Sequence, residues 1–211
     1  MIRRLLMNLA AGTLLLTATS AFAGEAGPIL TGVPEIPEDL VQRLTQYEST
    51  RWASMRSLSD DGSSVLVTTR LGETGQVHQV TQPGGARTQM TFRRESSRRP
   101  DYVPGTDRSF LFSSDIGGDE QYQIFRFDMD SGNTTQLTPS GVRHGGWTWS
   151  TAGDQIAYSS NKRNGRDFDI WVSDAKDPAS AQLLTEGSGY WGAGPWSPDG
   201  KFMLAYEYIS V

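Results

Sequence analysis

Cysteine is absent from these 211 residues, and histidine occurs only twice, at His78 and His144. The first absence excludes disulfides and thiolate metal sites, so an oxidising compartment is permitted but not required. The two histidines have no further ligands at metal-binding spacing, and both read as structural. No cofactor or metal is expected. Basic charge is also in short supply: 19 Lys and Arg face 24 Asp and Glu, a net charge of −5. That balance argues against nucleic acid as a partner, because phosphate binding draws its affinity from basic surface. An apolar fraction of 36 % is low for a helical bundle, whereas 23 glycines suit short strands joined by many turns.

One long apolar run does occur, in "MIRRLLMNLAAGTLLLTATSAFA" at residues 1–23. Arg3 and Arg4 precede it and Ala21-Phe22-Ala23 closes it, the pattern of a secretory signal peptide cut before Gly24. A membrane anchor is the competing reading. Its core, from about Leu5 to Ala18, is short for a span and interrupted by Asn8, Gly12 and Thr13. Without Arg3 and Arg4 the chain carries 17 basic and 24 acidic residues, a net −7. A periplasmic or secreted protein is expected, with no membrane attachment after cleavage.

What fills the rest is a repeat. "PWSPDGKFMLAY" (195–206) realigns on "TWSTAGDQIAYSS" (148–160), then on "DYVPGTDRSFLFSS" (101–114) and "RSLSDDGSSVLVTT" (56–69). The anchors Leu58, Tyr102, Trp149 and Trp196 lie 44, 47 and 47 apart, while Val77, Ile124 and Ile170 lie 47 and 46 apart. Met90, Leu137 and Leu184 repeat at 47 and 47. Each unit holds four short strand candidates, in the third roughly "GGWTW", "QIAYSS", "DIWVSD" and "AQLLT", separated by turn residues. Four strands per period of 40–50 residues mark a β-propeller blade. The fold expected is all-β, an incomplete propeller of about three and a half blades: 54–91, 98–138, 144–185 and a half-blade at 192–211. A segment at 24–53 precedes it, with a short helix opening near Pro37 and presenting Leu40, Leu44 and Tyr47 to the propeller. Trp149 and Trp196 are expected to pack in the core between blades. Asp169 of "DIW" is expected to accept local hydrogen bonds.

The stretch "YESTRWASMRSLSDDGSSVLVTTRLGETGQVHQVTQPGGARTQMTF" resembles the first blade of secreted bacterial serine peptidases of the prolyl oligopeptidase family. "SSDIGGDEQYQIFRFDMDSGNTTQLT" and "IAYSSNKRNGRDFDIWVSD" are similar to their second and third, so the resemblance covers about residues 33–211. It implies a propeller that gates peptide access to a C-terminal α/β-hydrolase domain with a Ser-Asp-His triad. No G-x-S-x-G elbow occurs in this sequence, so no catalytic residue is assigned. The chain is then expected to be the N-terminal part of a longer protein whose catalytic domain is one partner and whose peptide substrates are the other. The alternative is a protein-binding module similar to the periplasmic propeller of the Tol system, whose blades share "WSPDG" and "DIW"-like elements.

Loops between the second and third strands share a face with the loops joining blades: 71–76, 115–121 and 161–167 with 92–100 and 139–146. Charge concentrates there, in Arg93, Arg94, Arg98 and Arg99, in Asp119 and Glu120, and in Lys162, Arg163 and Arg166. Substrate contacts are therefore assigned to Glu120, Asp119, Arg98, Arg99 and Arg163, with arginine taking a peptide carboxylate and Glu120 a substrate amine. Asp115, Asp119 and Glu120 also offer hard oxygens for Ca²⁺, but their spacing matches no calcium loop.

Overall fold

The computed structural model describes residues 31–209, and the signal-peptide reading falls outside them. Helix α1 spans Glu38–Glu48, opened by Glu38 and Asp39 as acidic residues at a helix N-terminus favour. Leu40, Leu44 and Tyr47, the residues expected to form its apolar face, all lie within this helix. No helix among the described residues is long and apolar enough to cross a membrane.

From Ser49 onward the chain forms antiparallel sheets in strict sequence order. Blade I holds β1 (Ala53–Leu58), β2 (Val65–Arg70), β3 (Gly75–Val80) and β4 (Thr88–Gln89). Blade II holds β5 (Arg98–Tyr102), β6 (Ser109–Ser114), β7 (Gln123–Asp128) and β8 (Thr134–Gln136). Blade III holds β9 (His144–Trp149), β10 (Gln155–Ser160), β11 (Asp169–Asp174) and β12 (Gln182–Thr185), and a two-stranded blade IV holds β13 (Tyr190–Trp196) and β14 (Met203–Tyr208). This is the partial β-propeller that the repeat implies, and the strands of blade III sit where the alternation places them.

The turn between the first two strands explains why three of the four units carry a serine just after the first strand. In blades I, III and IV, Ser59, Ser150 and Ser197 each accept a turn bond at their carbonyl, from Gly62, Gly153 and Gly200, all at 2.9 Å. Each hydroxyl also accepts from a backbone N–H five residues on, at 2.9, 3.1 and 3.0 Å. The same hydroxyls donate to Asp61, Asp154 and Asp199 at 2.8, 2.8 and 2.6 Å. The three glycines take φ near +70°, a conformation that costs other residues a Cβ clash. Gly153 is further constrained, since a Cβ there would lie 2.8 Å from Pro104 in the blade II turn.

Cores lie between sheets. Side chains alternate along a strand, so β6 sends Phe110 and Phe112 toward blade I and Leu111 toward blade III. The first pair joins Leu66, Val77, Tyr102, Phe125 and Phe127 in one cluster, with Phe110 stacked on Phe127 at 5.0 Å and Phe112 on Phe125 at 5.3 Å. Leu111 joins Ile124, Leu137, Ile156, Tyr158 and Ala175 in the other, with Trp147, Trp149 and Trp171 partly buried against it.

The first strands are tied together by polar bonds as well. The Asp101 carboxylate on β5 accepts from Ser57 Oγ at 3.2 Å in blade I and from the indole N–H groups of Trp147 at 3.3 Å and Trp149 at 2.8 Å in blade III. Trp149 is thus a hydrogen-bonding strut and not only the apolar filler expected of it. Trp196 follows it by one repeat, and there the position of Asp101 is taken by Thr148. The buried Trp196 N–H has no hydrogen-bond partner.

Asp101→Ala removes the acceptor of three groups in two neighbouring blades and should cost about 3 kcal/mol, since bonds to a charged group contribute about 1.5–3 kcal/mol each and are not additive. Asp101→Asn keeps one carbonyl oxygen and should cost less. Urea unfolding of both variants checks the order.

Candidate functional site

The loops grouped by the repeat meet on one face. Ser97 N–H donates to Gly75 O at 2.8 Å, Gly117 N–H donates to Glu95 at 3.2 Å, and Arg93 Nε donates to Ser114 Oγ at 3.3 Å. Arg93 also lies 4.4 Å over the Phe125 ring, closing the core between blades I and II, and so acts as a strut.

Every first strand carries a β-bulge, and in β5 and β9 it lies near this face. In β5 the register slips between Arg98 and Asp101, and in β9 between His144 and Trp147. Extra residues at a bulge bend the strand and re-aim side chains. Here the two bulges border a pocket of about 330 Å³ lined by Arg98, Arg99, Tyr122, Arg143, His144 and Tyr190, with Ser113, Gly145, Gly146, Trp147 and Phe168 completing it. Arg98 lies 4.9 Å over the Tyr122 ring and Arg99 5.8 Å over that of Trp147. Gly145 and Gly146 make the wall thin. A Cβ on Gly145 would stand 2.8 Å from the Tyr190 hydroxyl, and one on Gly146 would stand 2.8 Å from the Arg99 guanidinium.

The five residues assigned from sequence divide. Arg98 and Arg99 line this pocket together. Arg163 does not: its guanidinium holds the fully buried Asp169 at 2.7 and 2.9 Å and Gly187 O at 3.0 Å. Burial alone would raise the Asp169 pKa, but the bonds from Arg163 and from Gly187 N–H outweigh it and hold the carboxyl below its ordinary value. Asp169 is thus the local acceptor expected of it. Asp119 accepts Gln121 N–H at 2.9 Å within its own loop. Glu120 is exposed on the same loop with φ +57°, its N–H directed to Asp115 at 3.4 Å. Neither lines the pocket, and among the described residues no three acidic or histidine side chains converge as metal ligands would.

Sequence reading left out Arg143, Tyr122 and Tyr190. Arg143 stands one residue before β9, as Arg98 and Arg99 stand at the start of β5; that shared position was the available signal. His144 is only 7 % exposed. Its Nε2 lies 3.0 Å from Pro139 O and so carries the proton, which leaves Nδ1 as a buried acceptor without a partner. Burial pushes its pKa down to about 4, against a smaller opposing effect of the Pro139 bond.

No protein-family model matches the chain, and no curated protein does either. Solved structures do. A protein described as a putative TolB from Agrobacterium tumefaciens is 23 % identical over 71 % of this chain and 53 % of its own, with a TM-score of 0.56. TolB from Acinetobacter baumannii is 18 % identical over 76 % of this chain and 39 % of its own, at 0.59. A prolyl endopeptidase is 13 % identical over 80 % of this chain and 28 % of its own, at 0.62. At these identities the likeness is one of propeller fold, and the chain spans between about a quarter and half of each neighbour.

The histidine gives a pH expectation. Native His144 rejects a proton that the unfolded chain accepts, so stability present above pH 6.5 drains away as pH falls toward about 4, by at most about 3 kcal/mol. His78, also lowered by burial, acts in the same direction. Unfolding curves for His144→Gln at pH 7 and pH 4.5 should show a smaller difference than those of the parent.

Proposed function

We propose that this chain supplies a peptide-binding propeller, and that the protein it serves is a secreted serine peptidase of the prolyl oligopeptidase family. In this reading the loop face admits peptides to an α/β-hydrolase domain and contributes contacts to them. The observation that carries it is the pocket at the bulged starts of β5 and β9, where exposed arginines and aromatic rings converge on a rigid scaffold. Loops held by rigid sheets are where binding groups concentrate. The prolyl endopeptidase match, over 80 % of this chain, is compatible with that reading.

The second reading is a protein-binding propeller without a hydrolase partner. The two TolB matches favour it, being higher in identity than the peptidase. Both readings make the loop face a binding surface and differ in what it serves.

The full product of the reading frame carrying these residues separates them. A serine peptidase takes up a fluorophosphonate label and cleaves peptide p-nitroanilides, whereas a binding propeller does neither. In the peptidase, Arg98→Ala combined with Glu120→Ala should raise KM for peptides about tenfold with little change in kcat, because only binding contacts are removed. An unchanged KM would discard the loop face as a substrate surface.

A further inference from the structure

Arg99 is the least comfortable residue in the propeller. It takes φ +53°, and only one other non-glycine residue among those described, Glu120, is also left-handed. For a side chain with a Cβ that conformation costs on the order of 1–3 kcal/mol. The next residue is Pro100, which further restricts its predecessor and favours φ near −120°. Arg99 occupies the bulge of β5, where glycine is the usual left-handed residue.

Three further features converge on the same side chain. Its guanidinium sits against Gly146, where a Cβ would stand 2.8 Å from it, so the bare glycine lets it rest in this position. Arg98 and Arg143 line the same 330 Å³ pocket, bringing three guanidinium groups to one opening. Among the described residues none of the three forms an ion pair: the ion pairs of this face use Arg93, Arg163 and Arg166 instead. Like charges held together without counter-ions repel, which the fold would avoid if the arginines only solubilised the surface.

We infer that the pocket is a carboxylate subsite for peptides, and that Arg99 is its specificity-determining residue. The inference rests on the peptide-binding reading above and adds the chemical group recognised. A guanidinium fork pairs with a carboxylate through two parallel hydrogen bonds. Tyr122 and Tyr190 bring phenol groups to the rim, and the strained backbone at Arg99 keeps the fork aimed before the ligand arrives, which lowers the ordering cost of binding. The carboxylate can be a peptide C-terminus or an acidic side chain, since both present the same two oxygens.

Equilibrium binding to the full-length protein tests this without relying on catalysis. The probes are a short N-acetylated peptide with a free C-terminus, the same peptide as its C-terminal amide, and an amidated version carrying an internal Asp. The parent protein should bind at least one carboxylate-bearing probe about tenfold more tightly than the plain amide, and whichever probe gains identifies the source. Arg99→Gly should erase that preference while Tm stays level or rises, because glycine relieves the backbone. Arg99→Lys should recover only part of it, a point charge lacking the fork. Equal binding of acid and amide overturns the subsite and leaves the peptide-binding reading standing. So does an Arg99→Gly protein that keeps the preference. No binding of any of the three peptides overturns both. A fall in Tm for Arg99→Gly with the preference intact assigns Arg99 a structural role and refutes the proposal.

Discussion

A sheet of this kind has two apolar faces, and neither is buried until another sheet is laid against it. That constraint organises everything else in the chain. All six residues of β6 are buried, and their own blade covers them only in part: Phe110 and Phe112 also pack with Leu66 and Val77 of blade I, and Leu111 with Ile156 and Tyr158 of blade III. Stability therefore resides in contacts between repeats, as in other repeat architectures. Leu58 shows the converse. It holds the anchor position of blade I, but among the described residues no blade precedes it, and it is 53 % exposed while Tyr102 one repeat later is 4 % exposed.

Apolar faces alone would let sheets slide, and two sets of polar contacts fix their offset. At one end the turns touch directly, with Asp60 taking Gly105 N–H at 2.6 Å and Thr151 donating to Ser197 O at 2.8 Å. Along the first strands Asp101 joins blade II to both neighbours. With that end pinned, the bulges take up the twist toward the other end, where they turn Arg98, Arg99 and the Gly145–Gly146 wall into the pocket. The geometry of the site is thus a consequence of how the sheets are locked, and the glycines and the left-handed arginine mark where the local backbone yields to it.

Charge is sorted by the same scaffold. Arg163 neutralises a carboxylate buried under blade III, Arg93 covers the aromatic core, and Glu95 caps the Gly117 N–H. Among the described residues, the arginines gathered around one opening on this face, Arg98, Arg99 and Arg143, form no ion pair. The selectivity lies in partners: arginines on loops of one face end in opposite roles because Arg163 meets a buried acid and Arg99 meets none.

Much of this was legible beforehand and some was not, for identifiable reasons. Period, strand order and turn chemistry are local properties. A serine, an aspartate and a glycine within five residues set the hairpin in blades I, III and IV, and alternation along "QIAYSS" survives any environment that buries one face. The pairing of loops on a common face also follows from strand order, which is why Arg98 and Arg99 could be placed together. Arg163 could not be told apart from them, because its partner Asp169 lies six residues away across a turn and only burial makes the pair matter. The sequence by itself determined the repeat and the fold; the tertiary structure alone decided which charges are spent and which are free, because that depends on distances between side chains from different sheets, which no spacing along the chain encodes.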